Sequence, residues 1–145
     1  MIAVDTNLLV YAHRAGGPFH ERARACLATL AEGPAQWGLP WTVVHEFLAI
    51  TTNPRVFRDP TPLGISSAAV EAWLSSPRVV TLAEPTGYWQ ILRSLAQGAA
   101  ATGSRIHDAR IAATCLAHGV QELWTADRDF GRFPSLRIRN PLVGN

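Results

Sequence analysis

The 145-residue chain reads as one α/β domain with a parallel sheet of about four or five strands and helices on both faces. Two observations carry that expectation. Short apolar or β-branched runs alternate with stretches of 10–15 residues in helical register, and no linker or repeat divides the chain. A third is composition: 48% hydrophobic and 17% charged residues suit a single packed core, which at this length buries about 70% of the unfolded surface without help from metal or disulfide. The expected domain is residues 1–145.

Met1–Val4 is a first strand, ended by Asp5-Thr6-Asn7, and Leu8–Ala12 continues in helical register. Gly16-Gly17-Pro18 breaks the chain. From Phe19, apolar residues Ala23, Cys26, Leu27 and Leu30 recur at helical spacing until Gly33-Pro34. Gln36–Leu39 is a second strand, and Thr42 is a plausible N-cap for a helix to Thr51. Asn53–Pro62, with three prolines, is a loop. Ser66 or Ser67 caps the next helix, to Ser75, before the β-branched run Arg78–Leu82. Helices are expected over Thr86–Ala101 and His107–Ala117, then a strand at Glu122–Thr125, a helical turn at Asp127–Phe130 and a last strand at Arg137–Arg139.

Composition also excludes chemistry. All 13 basic residues are arginine, so a Schiff base, a P-loop lysine and a lysine general base are unavailable. The net charge of +2 is too small to argue for nucleic acid, although arginine suits bidentate phosphate contacts. Cys26 and Cys115 stand alone, without CxxC spacing, and read as buried small hydrophobes. No apolar run reaches the roughly 20 residues of a membrane span, and Asp5 interrupts the N-terminus too early for a signal peptide, so a cytoplasmic location is expected.

In open parallel sheets, ligands bind at the carboxyl ends of strands. Asp5 follows the first strand and Asp127 follows Leu123–Thr125. Asp108 stands in the first turn of a later helix, and Glu46 is the only acid on the helix Thr42–Thr51. Gathered in one cleft, such carboxylates repel one another unless a cation lies among them, and Mg²⁺ or Mn²⁺ takes oxygen ligands. Each has a plainer reading: Asp5 and Asp127 as helix caps, Asp108 as a partner of the helix dipole, Glu46 as a solvated side chain. Asp129 competes with Asp127. Other motifs fail on inspection. Asp5-Thr6-Asn7 lacks the second acid of the DxD phosphatases, and His45-Glu46-Phe47-Leu48-Ala49 lacks the second histidine of HExxH. His107 reads best as a capping or core histidine.

Four segments in order, VDTNLLVYAHR, LPWTVVHEFLAITTNPRVF, IHDARIAA and TADRDFGRFPSLRIRNPL, resemble the PIN-domain ribonucleases and, within them, the VapC toxins of bacterial toxin–antitoxin systems. The resemblance spans the chain. It implies a Mg²⁺- or Mn²⁺-dependent endoribonuclease cutting RNA, often a tRNA or rRNA, with Asp5, Glu46, Asp108 and Asp127 as the acidic, metal-holding cluster and Asp129 replacing or assisting Asp127. It further implies support of the cluster by Thr6, Asn7 and Thr125. RNA contacts are expected from arginines such as Arg14, Arg105, Arg110 or Arg128. The implied partners are a second copy of the chain and a VapB-type antitoxin, for which Trp37, Trp41, Trp73 and Trp89 are candidate surfaces, although for any one of them the core is the better reading, since five tryptophans in a small domain must mostly be buried. A housekeeping PIN-type RNase and a non-catalytic RNA- or partner-binding module are the alternatives, with a phosphatase or flap-type nuclease behind them.

Overall fold

In the computed structural model, which describes residues 1–144, the strands β1 (Ile2–Val4), β2 (Trp37–Pro40), β3 (Val79–Leu82), β4 (Glu122–Trp124) and β5 (Arg137–Arg139) form one sheet in the order β3-β2-β1-β4-β5. Every neighbouring pair is parallel. Asn145, the last residue of the expected domain, lies outside the described residues.

The helices are α1 (Thr6–His13), α2 (His20–Glu32), α3 (Trp41–Thr51), α4 (Leu63–Leu74), α5 (Tyr88–Gly98) and α6 (Arg105–Ala117). From β1 the chain steps outward to β2 and β3, then crosses back to β4. Right-handed crossovers therefore put α1–α4 on one face and α5–α6 on the other. The contacts agree: α1 packs on α2 and α3, α3 on α4, and α5 on α6. The order reverses between β1 and β4, so the crevice for a ligand opens where Asp5 and Thr125–Asp127 leave the sheet.

Both outer layers close on the sheet through fully buried side chains. Trp37, Leu39, Val43 and Phe47 fill one side, and Ile111, Ala112 and Cys115 of α6 the other. Three buried alanines, Ala109, Ala112 and Ala113, let α6 approach the strands closely. Gly38 in β2 serves the same end, since a Cβ there would stand 2.9 Å from Leu82 Cδ1.

Several sequence expectations change at the helix starts. Thr42 is not a cap: α3 begins one residue earlier, after Pro40, whose fixed φ suits the entry, and Thr42 is buried in the first turn. Likewise α4 begins at Leu63 after Pro62, so neither Ser66 nor Ser67 caps it. Ser66 is wholly buried and its hydroxyl meets that of Thr51 at 2.8 Å, tying α4 to α3. The helix α5 is shorter than expected because Gly87, at φ 87°, makes the turn into it. Conversely α6 starts two residues before His107. Cys115 is buried as expected, whereas Cys26 is only half-buried. Trp37 is removed from the candidate partner surfaces, because it is fully buried and its indole donates to Ser76 Oγ at 3.1 Å. Trp41 and Trp89 are exposed and Trp73 is half-buried. Among the described residues no helix is long and apolar enough to cross a membrane.

Candidate active site

Asp5, the residue that ends β1, does two things at once. Its Oδ1 accepts from the Thr6 amide at 2.7 Å and so caps α1. Its Oδ2 accepts from Thr125 Oγ1 at 2.7 Å and from Asn7 Nδ2 at 3.1 Å. The capping reading and the site reading of this residue are therefore compatible.

Thr125, two residues short of Asp127 at the exit of β4, is the hub. Its single hydroxyl proton goes to Asp5, and its lone pairs take Asn7 Nδ2 at 3.2 Å and the Asp127 amide at 3.0 Å. Asn7 is fixed in orientation as well, since its Oδ1 accepts from the Ala126 amide at 3.2 Å. The two strand ends are thus stitched together by side chains where the backbone ladder stops. Across the cleft Thr6 Oγ1 donates to Glu46 Oε2 at 2.7 Å, bringing α3 to the same place. Asp127 Oδ1 caps the following 3₁₀ turn, Arg128–Arg132, through the Asp129 amide at 2.8 Å.

The result is a cleft of about 280 Å³ lined by Asp5, Thr6, Asn7, Glu46, Asp108 and Asp127, with Val10, Tyr11 and Ile50 on its apolar side. All four predicted acids reach it. Asp129 does not line it and is exposed. The apolar residues were not anticipated, although Tyr11 lies four positions beyond Asn7 and Ile50 four beyond Glu46, a spacing that puts each pair on one helix face.

The electrostatics are lopsided. Asp5 is buried, and desolvation, reinforced by Glu46 and Asp108, pushes its carboxyl up to about 6 against the hydrogen bonds of Thr125 and Thr6. Asp108 is pushed up to about 6 by burial and by Asp127, Glu46 and Asp129. None of the ion pairs among the described residues includes any of these four acids. The cluster is negative charge with no ion-paired protein cation among the described residues; only His107, beside Asp108, weakly opposes the rise of that carboxyl.

The predicted arginines are not in that cleft. Arg14 pairs with Asp59 at 2.8 Å and lies 3.8 Å over the Phe57 ring, pinning the proline-rich loop to the end of α1. Arg110 is paired with Glu84. Arg128 is exposed, and Arg105 is half-buried with Nη1 unbonded.

Such a donor set fits a hard divalent ion. The donors are carboxylate, hydroxyl and amide oxygens, and the acids lack any other counter-charge. Among the described residues no group of three His, Cys, Asp or Glu side chains is arranged to hold an ion by itself. Mg²⁺ is commonly held by one or two carboxylates with waters and substrate phosphate completing the shell, which this open cleft allows.

A Thr125→Val substitution keeps the shape and removes the hub. It leaves Asp5, Asn7 and the Asp127 amide each short of a partner, so the expected loss is about 2–3 kcal/mol of stability and, for a group that orients ligands, about 10–100-fold in activity. Urea melts beside a turnover assay check both; a variant matching the wild type would remove Thr125 from the site.

The PIN-domain family model matches residues 2–136. The VapC ribonuclease Mb2897 of Mycobacterium bovis is 41% identical over 144 residues, covering 99% of this chain and 97% of that protein. Ribonuclease VapC48 of Mycobacterium tuberculosis is 31% identical over 140 residues, 97% of each chain. Among solved structures, Mycobacterium tuberculosis VapC20, a sarcin-ricin loop cleaving toxin, aligns with a TM-score of 0.66 at 23% identity over 90% of this chain and 93% of that one. The VapBC2 structure from Rickettsia felis, bound to a promoter DNA fragment, aligns at 0.67 with 20% identity over 97% and 98%. At those identities the two structures speak for the fold.

Proposed function

Because this chain belongs to the PIN-domain family, among the VapC ribonucleases, we propose that it is an endoribonuclease toxin that hydrolyses RNA phosphodiester bonds at the acidic cleft and is held in check by a VapB-type antitoxin. The observation that carries this reading is the unneutralised cluster of Asp5, Glu46, Asp108 and Asp127 at the point where the strand order reverses.

Asp5 and Asp108 would hold a Mg²⁺ or Mn²⁺ ion, with Asp127 completing the shell directly or through water and Glu46 holding a second ion or the attacking water. The bound metal would supply a nucleophilic hydroxide at neutral pH and charge stabilisation at the leaving oxygen. The chain's own part is positional. Thr125 and Asn7 keep the Asp5 carboxylate from rotating, and Thr6 keeps the Glu46 carboxylate turned to the cleft. Water attack leaves a 5′-phosphate and a 3′-hydroxyl, so no histidine base is required; tRNA and rRNA are the candidate substrates.

Partner binding has its own support. A groove of about 520 Å³ runs between α1, α2 and α4; Leu27, Trp73 and alanines of all three helices make most of its lining, together with His13, His20 and Arg24. Small residues and one half-buried tryptophan suit an apolar helix of the antitoxin. A second copy of the chain is the other expected partner.

The test is RNA 5′-end mapping in cells briefly expressing the wild type or Asp108→Asn. New ends at one or a few sites, present with the wild type alone, are expected. The same ends in both strains would overturn the acidic-site mechanism.

A further inference from the structure

A second cavity lies on the same carboxyl edge of the sheet. The acidic cleft sits over β1 and β4; this one, of about 150 Å³, sits over β2 and β3. Its walls come from α3 (Trp41, Thr42, His45), from the segment after β3 (Ala83, Glu84) and from α6 (Arg110, Thr114). The two cavities share α3 and α6: Glu46 is adjacent to His45, and Asp108 is two residues before Arg110. Adjacent strands lie about 4.8 Å apart, so the second cavity is displaced from the first by one to two strand spacings, roughly 5–10 Å.

The chemistry of the walls is mixed in a particular way. Trp41 is 38% exposed, and no protein group accepts a hydrogen bond from its indole among the described residues. Arg110 Nε donates to Glu84 Oε1, which fixes a guanidinium and a carboxylate side by side at the rim and leaves Glu84 Oε2 without a partner in that pair. The rim is braced from behind, because His118 Nε2 donates to the Ala83 carbonyl at 2.6 Å. A part-exposed indole lining a cavity beside a paired guanidinium and carboxylate supplies what recognition of an unpaired base uses: a ring to stack on, and hydrogen-bonding groups for the base edge.

The geometry points to a nucleobase subsite: a single unpaired base of the substrate RNA, next to the bond that is cut, stacks on Trp41 and meets the Glu84–Arg110 pair with its edge. This rests on the ribonuclease reading of the acidic cleft and extends it to substrate choice. It also assigns a role to Arg110, which lines this cavity and not the acidic cleft. Arg110 reads the base together with Glu84 rather than neutralising the scissile phosphate.

The experiment is a cycle between protein and substrate. Purified wild type, Trp41→Ala and Trp41→Phe are assayed with Mn²⁺ on a short single-stranded RNA containing the mapped cleavage site, and on copies made abasic at one position at a time around it. The expected result is one position at which removing the base lowers wild-type kcat/KM by roughly 5- to 100-fold, the worth of one stacked base. On the intact RNA Trp41→Ala falls by a similar factor, and on the RNA abasic at that position it falls no further. Trp41→Phe recovers most of the loss. Thermal melts and size-exclusion elution accompany each protein. A Trp41→Ala enzyme that stays folded and cuts every RNA as the wild type does would overturn the subsite and leave the nuclease standing. So would an elution shift from dimer to monomer, which would make Trp41 a contact between copies of the chain. A wild type that cuts none of the RNAs would overturn the ribonuclease reading itself.

Discussion

Asp108→Asn is expected to abolish most RNA cleavage while raising the melting temperature of the metal-free protein. The two effects share one cause. Asp108 stands in the first turn of α6, where the helix dipole favours a negative charge, yet burial and the neighbouring Asp127, Glu46 and Asp129 push its carboxyl up to about 6. The unfavourable influences therefore exceed the dipole, and an uncharged amide of the same shape relieves them. The gain in melting temperature is a few degrees, since about 1 kcal/mol moves a domain of this size by roughly 2–4 °C. Activity falls because the same carboxylate is one of the groups proposed to hold the metal; loss of one preorganised electrostatic group costs about 10²–10³ in rate. Turnover of a fluorogenic RNA and a thermal scan in chelator measure both. A variant that cuts within two- to threefold of the wild type would take Asp108 out of the mechanism. One that melts well below the wild type would show that its charge stabilises the fold instead.

Trading stability for function in this way explains which parts of the molecule were readable in advance. The sheet was, because Ile2–Val4, Val79–Leu82 and Leu123–Trp124 are apolar runs bounded by breakers, and their alternation with helices admits few topologies. Asp5 and Asp127 were, because residues that leave the carboxyl ends of neighbouring parallel strands converge whatever their separation in sequence; Glu46 and Asp108, which sit on helices, joined them through the family resemblance. Helix starts were not. Polar residues such as Thr42 and Ser66 resemble caps locally, but the entry is set by Pro40 and Pro62; both are buried, and the Ser66 hydroxyl is spent on the contact with Thr51 of the neighbouring helix. The second cavity was hidden for a related reason. Trp41, Glu84 and Arg110 come from three separate elements with no shared spacing, so only the packing of α3 and α6 over β2 and β3 brings them together. The Thr125 hub shows the opposite limit. A lone threonine after a strand carries no signal of its own, and the family resemblance singled it out before its three-way bonding was visible.

The proposed metal would compete with protons for the acidic cleft, and the expected sign of that competition is a reversal in the pH dependence of stability. Asp5 is 4% exposed and its carboxyl stands at about 6 rather than 3.8. A carboxyl raised on folding makes the fold most stable when protonated: its contribution is full below about pH 4 and is lost as pH rises through about 6. For Asp5 alone the whole effect is about 3 kcal/mol, of which roughly 1–2 kcal/mol falls between pH 5 and 7.5. Asp108 acts in the same direction. His13 acts against them. Burial first, then Arg14 and His20, lower its pKa, so its contribution is lost as pH falls. Comparison with Asp108→Asn separates the two, because that substitution leaves His13 in place. In chelator, the wild type should lose more melting temperature than Asp108→Asn between pH 5 and 7.5. With Mn²⁺ at about a hundred times its dissociation constant, binding to the folded state adds about 2.7 kcal/mol, mostly at pH 7.5 where the acids are ionised. The wild type then becomes more stable at pH 7.5 than at pH 5, and Asp108→Asn does not. Equal Mn²⁺ shifts in the two proteins would put the ion elsewhere and dissolve the link between this cleft and metal-assisted hydrolysis.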